Sequence, residues 1–210
     1  MAPFAVFLGL LALHSVLPLP ALPDEILRLA VMAAAIAFFA RPVLDLSMRA
    51  PISSVVVGVL VFLIWIGPDL LFPGYRHHLE NPLTGLAKSS LSAAARGNPA
   101  VLALRSIRAV IIVPIVEELF WRAWLMRWII SPNFQKIPLG TYLPFSFWMV
   151  ALLFASEHGP YWDVGLAAGV IYNVWMIRTR SLGDLVLAHA VTNACLSAYV
   201  IFAGKWEYWL

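Results

Sequence analysis

The sequence predicts an all-α fold, a polytopic transmembrane helix bundle of about seven spans, and three observations carry that prediction. The 210 residues are 62% hydrophobic and only 12% charged, with a mean hydropathy of +0.86, well outside the composition of soluble domains. Apolar runs approaching the roughly 20 residues that a helix needs to cross a bilayer recur along the chain. Between them stand short joints rich in proline and glycine, which break helices.

The runs cover residues 3–19, 25–40, 52–72, 101–130, 142–157, 161–178 and 182–204. The first lacks the basic start of a secretory signal, so it is expected to be a retained span. The joints are PLPALPD, RPVLDLSMRAP, SPNFQKIPLG, EHGPYWD and RTRSLGD. One connection is long and polar, residues 72–99; it could hold an interfacial helix, and the usual lengths of loops favour an exposed loop. Internal repeats and low-complexity tracts are absent, which predicts a single integral membrane domain over residues 1–210, with the chemistry-bearing core at 101–204. Arg41 with Arg49, Arg127 with Lys136, and Arg178 with Arg180 fall in connections of one parity. The positive-inside rule puts those in the cytoplasm and the N-terminus inside, although Arg76, Lys88 and Arg96 pull the other way.

Composition also excludes classes. A formal charge of +3 arises from scattered basic residues without a dense patch, so nucleic acid is not an expected partner and the lipid bilayer is. With one cysteine, Cys195, no intramolecular disulfide and no cysteine-rich metal site can form.

Against this apolar background the stretch IVEELFWRAW, residues 115–124, stands out. An ionised group at the centre of a span costs on the order of 2.5–3.5 kcal/mol on insertion scales, and such groups face a bundle interior or a wet cavity. On a helix Glu118 and Arg122 are i,i+4 with the acid first, the favourable order for an ion pair. Glu117 projects about 100° away and is left without that partner. Pro114 removes the hydrogen bond to the Val110 carbonyl and predicts a bend beside Glu117. The alternative is that the run ends at Val116 and EELFWRAW lies among headgroups, with Trp121 and Trp124 as interfacial aromatics.

Two further runs bring polar groups to the membrane. LLFASEHGP, residues 152–160, brings Glu157 and His158 to the end of an apolar helix just before a Gly-Pro stop, and Glu157 is expected to be an ordinary end-of-helix acid pointing away from whatever His158 faces. LVLAHAVTNACLSAYVIF carries His189 and Asn193 one turn apart. A polar group unsatisfied in hydrocarbon costs several kcal/mol, so these must find partners; helix-to-helix hydrogen bonding is the plain reading. A shared buried site explains all three runs together. Glu117 and His158 are then an acid/base pair able to activate water, and His189 and Asn193 are donors for the oxyanion formed when a peptide carbonyl is attacked.

The residues that carry this reading also carry a resemblance. Glu117-Glu118-Leu-Phe-Trp-Arg122 resembles an EExxxR motif, Phe154-Ala-Ser-Glu-His158 an FxxxH motif and His189-Ala-Val-Thr-Asn193 an HxxxN motif. In this order they are the pattern of the CAAX prenyl endopeptidase and bacteriocin-processing (CPBP, or Abi) intramembrane proteases. The resemblance implies a glutamate-type intramembrane endopeptidase acting on a membrane-anchored peptide or protein. Its pattern puts water activation on Glu117 and His158, oxyanion stabilisation on His189 and Asn193, and a supporting ion pair on Glu118 and Arg122. By analogy it suits a bacterial inner membrane. Residues 1–100 carry no motif of the family.

No cofactor is expected. Zinc is the alternative, since Glu117, His158 and His189 offer ligand types that a catalytic zinc accepts, but no H-E-x-x-H is present. Other classes stay in view: a proton-coupled transporter, for which no inverted repeat is visible, and a non-catalytic scaffold or immunity factor.

Overall fold

A computed structural model describes residues 1–16, 19–79 and 89–209, and every described element is helical. Seven principal helical runs coincide with the expected ones. They are α1 (Ala2–Val16), α2 (Ala21–Ala35), α3 (Pro51–Leu71), α4 (Pro99–Trp128), α5 (Pro144–Ser156), α6 (Trp162–Thr179) and α7 (Leu182–Ala203). Three of them, α3, α4 and α7, are long and apolar enough to cross a membrane, while Ala2–Leu13 and α5 are apolar but shorter. Seven crossings are therefore compatible with the helices, and three meet the length and composition that a crossing needs. This is an integral membrane protein.

The connection read as an exposed loop contains two short helices, Tyr75–Leu79 and Ala93–Arg96; its residues 80–88, Lys88 among them, lie outside the described residues. It is not a free loop at its start. Arg76 pairs with Asp69 and Asp163, donates to the Pro160 carbonyl at 2.9 Å and lies over the Tyr161 ring, which ties this connection to the turn after α5.

Helix α4 begins on a side-chain cap. The Asn98 side chain accepts from the N–H groups of Ala100 and Val101, and Pro99 fills the first turn, where its missing N–H would be unpaired anyway. The helix does not stop at Val116, so EELFWRAW is part of the span. It contains two π turns, Arg108–Ile112 and Trp121–Leu125. The first lies where Pro114 predicts a bend: widening by one residue relieves the clash of the proline ring with the preceding turn.

Helices α3 and α7 pack most extensively, through glycine and buried polar groups. A Cβ at Gly58 would collide with the Ala188 carbonyl and come within 2.7 Å of Val191 Cβ, so the helices approach more closely there than any other residue permits. The N-terminus of α3 is capped across the bundle. Fully buried Asp184 accepts from the N–H groups of Arg49 at 2.8 Å and Ala50 at 3.0 Å, and from the Ser54 hydroxyl, satisfying donors that every helix start leaves open. Ser181 caps α7 itself and donates to Ser47. Helices α5 and α6 form an antiparallel hairpin, closely packed at Gly169 against Ala151 and Phe154.

Candidate active site

Helix α4 carries two carboxylates in different environments. Glu118 and Arg122, both fully buried, form the i,i+4 ion pair, with both Glu118 oxygens 3.0 Å from Nη1. The guanidinium is held on every side. Its Nε donates to Asn173 at 2.9 Å, Nη2 to the Gly169 carbonyl at 3.4 Å, and its plane lies 4.4 Å from the Phe154 ring centre. Asn173 in turn donates to the Phe147 carbonyl. Two charges sunk among apolar side chains persist only when paired and hydrogen-bonded in this way.

Glu118 also receives His189, whose Nδ1 lies 2.8 Å from Oε1. Since both carboxylate oxygens already take the arginine's donors, the carboxylate is an acceptor here and Nδ1 carries the proton. The imidazole is stacked on Tyr172 at 5.1 Å, and the Tyr172 hydroxyl donates to Thr192, which is bonded to the Gly58 and Ala188 carbonyls. His189 is thereby fixed from two sides, with Nε2 as its remaining functional atom.

His158 sits just beyond the last turn of α5. Its Nδ1 lies 2.7 Å from the Phe154 carbonyl, which can only accept, so neutral His158 presents a lone pair on Nε2. Trp65 and Phe154 pack against the ring. On the next helix, Gly165 leaves room for it, because a Cβ there would lie 3.2 Å from the imidazole.

Asn193 meets α4 at its first π turn. The Val113 N–H reaches back to the Arg108 carbonyl, and the next residue, Pro114, has no N–H to give. The Ala109 carbonyl is thus without its backbone donor, and Asn193 Nδ2 supplies one at 2.8 Å. One amide proton is engaged in this bond; the second remains.

Glu117, His158, His189 and Asn193 all line one cavity of about 410 Å³. Glu118 and Arg122 lie behind it. Glu117 is 8% exposed, and its Oε2 has no partner among the described residues; the Tyr161 hydroxyl and Ser197 Oγ, which line the same cavity, are also unpaired. Such orphaned acceptors and donors around a cavity mark it as a place for water or a polar ligand. Glu157 departs from expectation. It lines this cavity beside His158 rather than pointing away, because the chain leaves the helix at Glu157 and adjacent side chains no longer diverge by the helical angle.

Sequence reading passed over Asn173, Tyr172, Thr192, Arg105 and Arg108. Asn173, an amide on an otherwise apolar stretch of α6, carried a signal of the same kind as Asn193.

For zinc the observations divide: Nδ1 of each histidine is held by a carbonyl or a carboxylate, as zinc-bound imidazoles usually are, and each Nε2 is open, but among the described residues no three His, Cys, Asp or Glu side chains are grouped as metal ligands.

Fold and site together define a helical integral membrane protein with a buried glutamate–histidine cavity. Residues 99–195, the segment that holds all three motifs, match the family model described as type II CAAX prenyl endopeptidase Rce1-like, a model of the CPBP family. The match covers a little under half of the chain. The likeness indicates a CAAX protease-like hydrolase, of a family whose protein substrates are processed in a membrane. No curated protein and no solved structure matches the chain.

Proposed function

We propose that the protein is a glutamate-type intramembrane endopeptidase, and the observation that carries the reading is the single cavity lined by Glu117, His158, His189 and Asn193. A substrate carbonyl enters that cavity with a water molecule. Glu117 accepts a proton from the water as its oxygen bonds to the carbonyl carbon, and the Nε2 lone pair of His158 orients the attacking water. Charge then develops on the carbonyl oxygen. The second Asn193 amide proton and His189 Nε2 serve as its donors. Because Nδ1 of His189 already carries the proton directed at Glu118, Nε2 donates when the ring holds a second proton. The proton held by Glu117 passes to the leaving amine as the C–N bond breaks.

The substrate is a membrane-anchored peptide or protein, and the bacterial inner membrane suits a chain of this size. The single-domain organisation over 1–210 belongs to the same proposal. Purified protein in proteoliposomes, offered a farnesylated CAAX-type peptide and its unprenylated counterpart, tests the reading. Wild type is expected to cleave at least one, with cleavage lost in Glu117→Gln and His158→Ala and unaffected by chelator. Inhibition by chelator that zinc reverses would favour the metal mechanism instead.

A further inference from the structure

The cavity has a second charged pole that the hydrolytic residues do not use. Arg105, Ala109, Val113 and Glu117 line it from α4 at intervals of four residues, along one stripe of the helix, with Arg108 beside Ala109. At the far end of the stripe the two arginines converge on one carboxylate, Glu25 of α2, which is 2% exposed. Arg105 Nη1 lies 3.2 Å from Glu25 Oε1, while Arg108 holds Glu25 through both Nε at 2.8 Å and Nη2 at 3.1 Å.

Clamping α2 to α4 would need only one arginine. The Arg108 pairing also fixes the guanidinium plane and leaves Nη1 bonded to no described residue, on a side chain that lines the cavity. A rigid arginine with an open donor in a low-dielectric cavity is a carboxylate receptor. Trp209, which also lines the cavity, lies 5.4 Å from the Arg105 guanidinium. A chain terminus offers a guanidinium an ionised carboxylate, whereas a peptide bond in mid-chain offers a neutral carbonyl. From Arg108 to Glu117 the helix rises roughly 13 Å, a distance that about four extended residues span.

We infer that Arg108, oriented by Glu25, binds the C-terminal carboxylate of the peptide substrate and so sets which bond reaches Glu117. This rests on the peptidase reading, but its test is separable because it begins with binding. A fluorescent peptide that wild type cleaves, or failing cleavage the farnesylated CAAX-type peptide, is titrated against Glu117→Gln protein in proteoliposomes. The peptide is made with a free C-terminal carboxylate and with a C-terminal amide. The acid is expected to bind roughly tenfold or more tightly than the amide, as loss of a charge-assisted hydrogen bond implies.

Adding Arg108→Gln should bring the ratio close to one by weakening the acid alone. Arg108→Lys, which keeps the charge without the Glu25 fork, should restore part of it. In the cleavage assay the same change should appear in KM rather than kcat. Equal binding of acid and amide, a ratio that Arg108→Gln leaves unchanged, or no binding of either peptide would overturn the assignment. Anionic-lipid vesicles competing equally with both peptides would identify a headgroup site instead. If the acid/amide discrimination holds while no peptide is cleaved, the peptidase reading fails and the carboxylate site stands.

Discussion

Arg122 is the most heavily engaged side chain in the buried cluster, bonded to Glu118, Asn173 and the Gly169 carbonyl with no exposure of its own. Its loss leaves the buried Glu118 carboxylate with His189 alone and strands two further acceptors. Removing one partner of a buried pair typically costs about 3–5 kcal/mol, so Arg122→Ala is expected to lower both yield and melting temperature in detergent. A normal yield and melting curve would count against a structural pair. His189→Gln is expected to act differently. The side chain stands between Glu118 and the cavity, so cleavage should fall about 10²- to 10³-fold, the loss typical of an oxyanion donor, with melting little changed. At this scale the pairing of Glu118 with Arg122 was legible from spacing alone. Its extension to His189 was not, because i,i+4 geometry describes one helix and says nothing of which residue a neighbouring helix delivers to the same carboxylate.

The element that shapes the cavity is the π turn at Arg108–Ile112. Proline at 114 leaves the Ala109 carbonyl for Asn193 and turns the following residues of α4, Glu117 among them. Pro114→Ala supplies the missing N–H and removes a residue poorly suited to a helix interior. Melting is therefore expected to hold or rise, while cleavage falls as the turn regularises; unaltered activity in a more stable variant would show that the turn does not position Glu117. The α3–α7 contact gives a second test of the packing. Gly58→Ala forces a methyl group onto the Ala188 carbonyl and Val191, and overpacking of this kind typically costs about 1–3 kcal/mol. Its melting temperature should drop, with residual activity lost in proportion to folded protein. A bend at Pro114 was readable in the sequence. Its form as a widened turn was not, nor was the cap that Asp184 places on α3, since both depend on what neighbouring helices bring.

Across the whole molecule, continuous apolar runs and the proline and glycine joints between them marked the seven helical runs closely, because lipid demands long apolar helices and tolerates few breaks. The three motifs likewise marked the helices that meet at the cavity. Invisible in sequence were the ion pairs between separate elements: the fold-back of Arg76 onto Asp69, Asp163 and Pro160, and the convergence of Arg105 and Arg108 of α4 on Glu25 of α2. These rely on contacts between residues distant in the chain, where no spacing rule applies. The central claim is that water drawn into the bundle is activated at Glu117 and becomes part of the product. Cleavage in heavy-oxygen water, followed by mass spectrometry of the newly formed carboxyl group, tests it most directly. The account predicts one heavy oxygen in that carboxyl with wild-type protein, and loss of product by about 10²- to 10⁴-fold in Glu117→Gln at unchanged melting temperature. Undiminished product from the Glu117→Gln variant would contradict it.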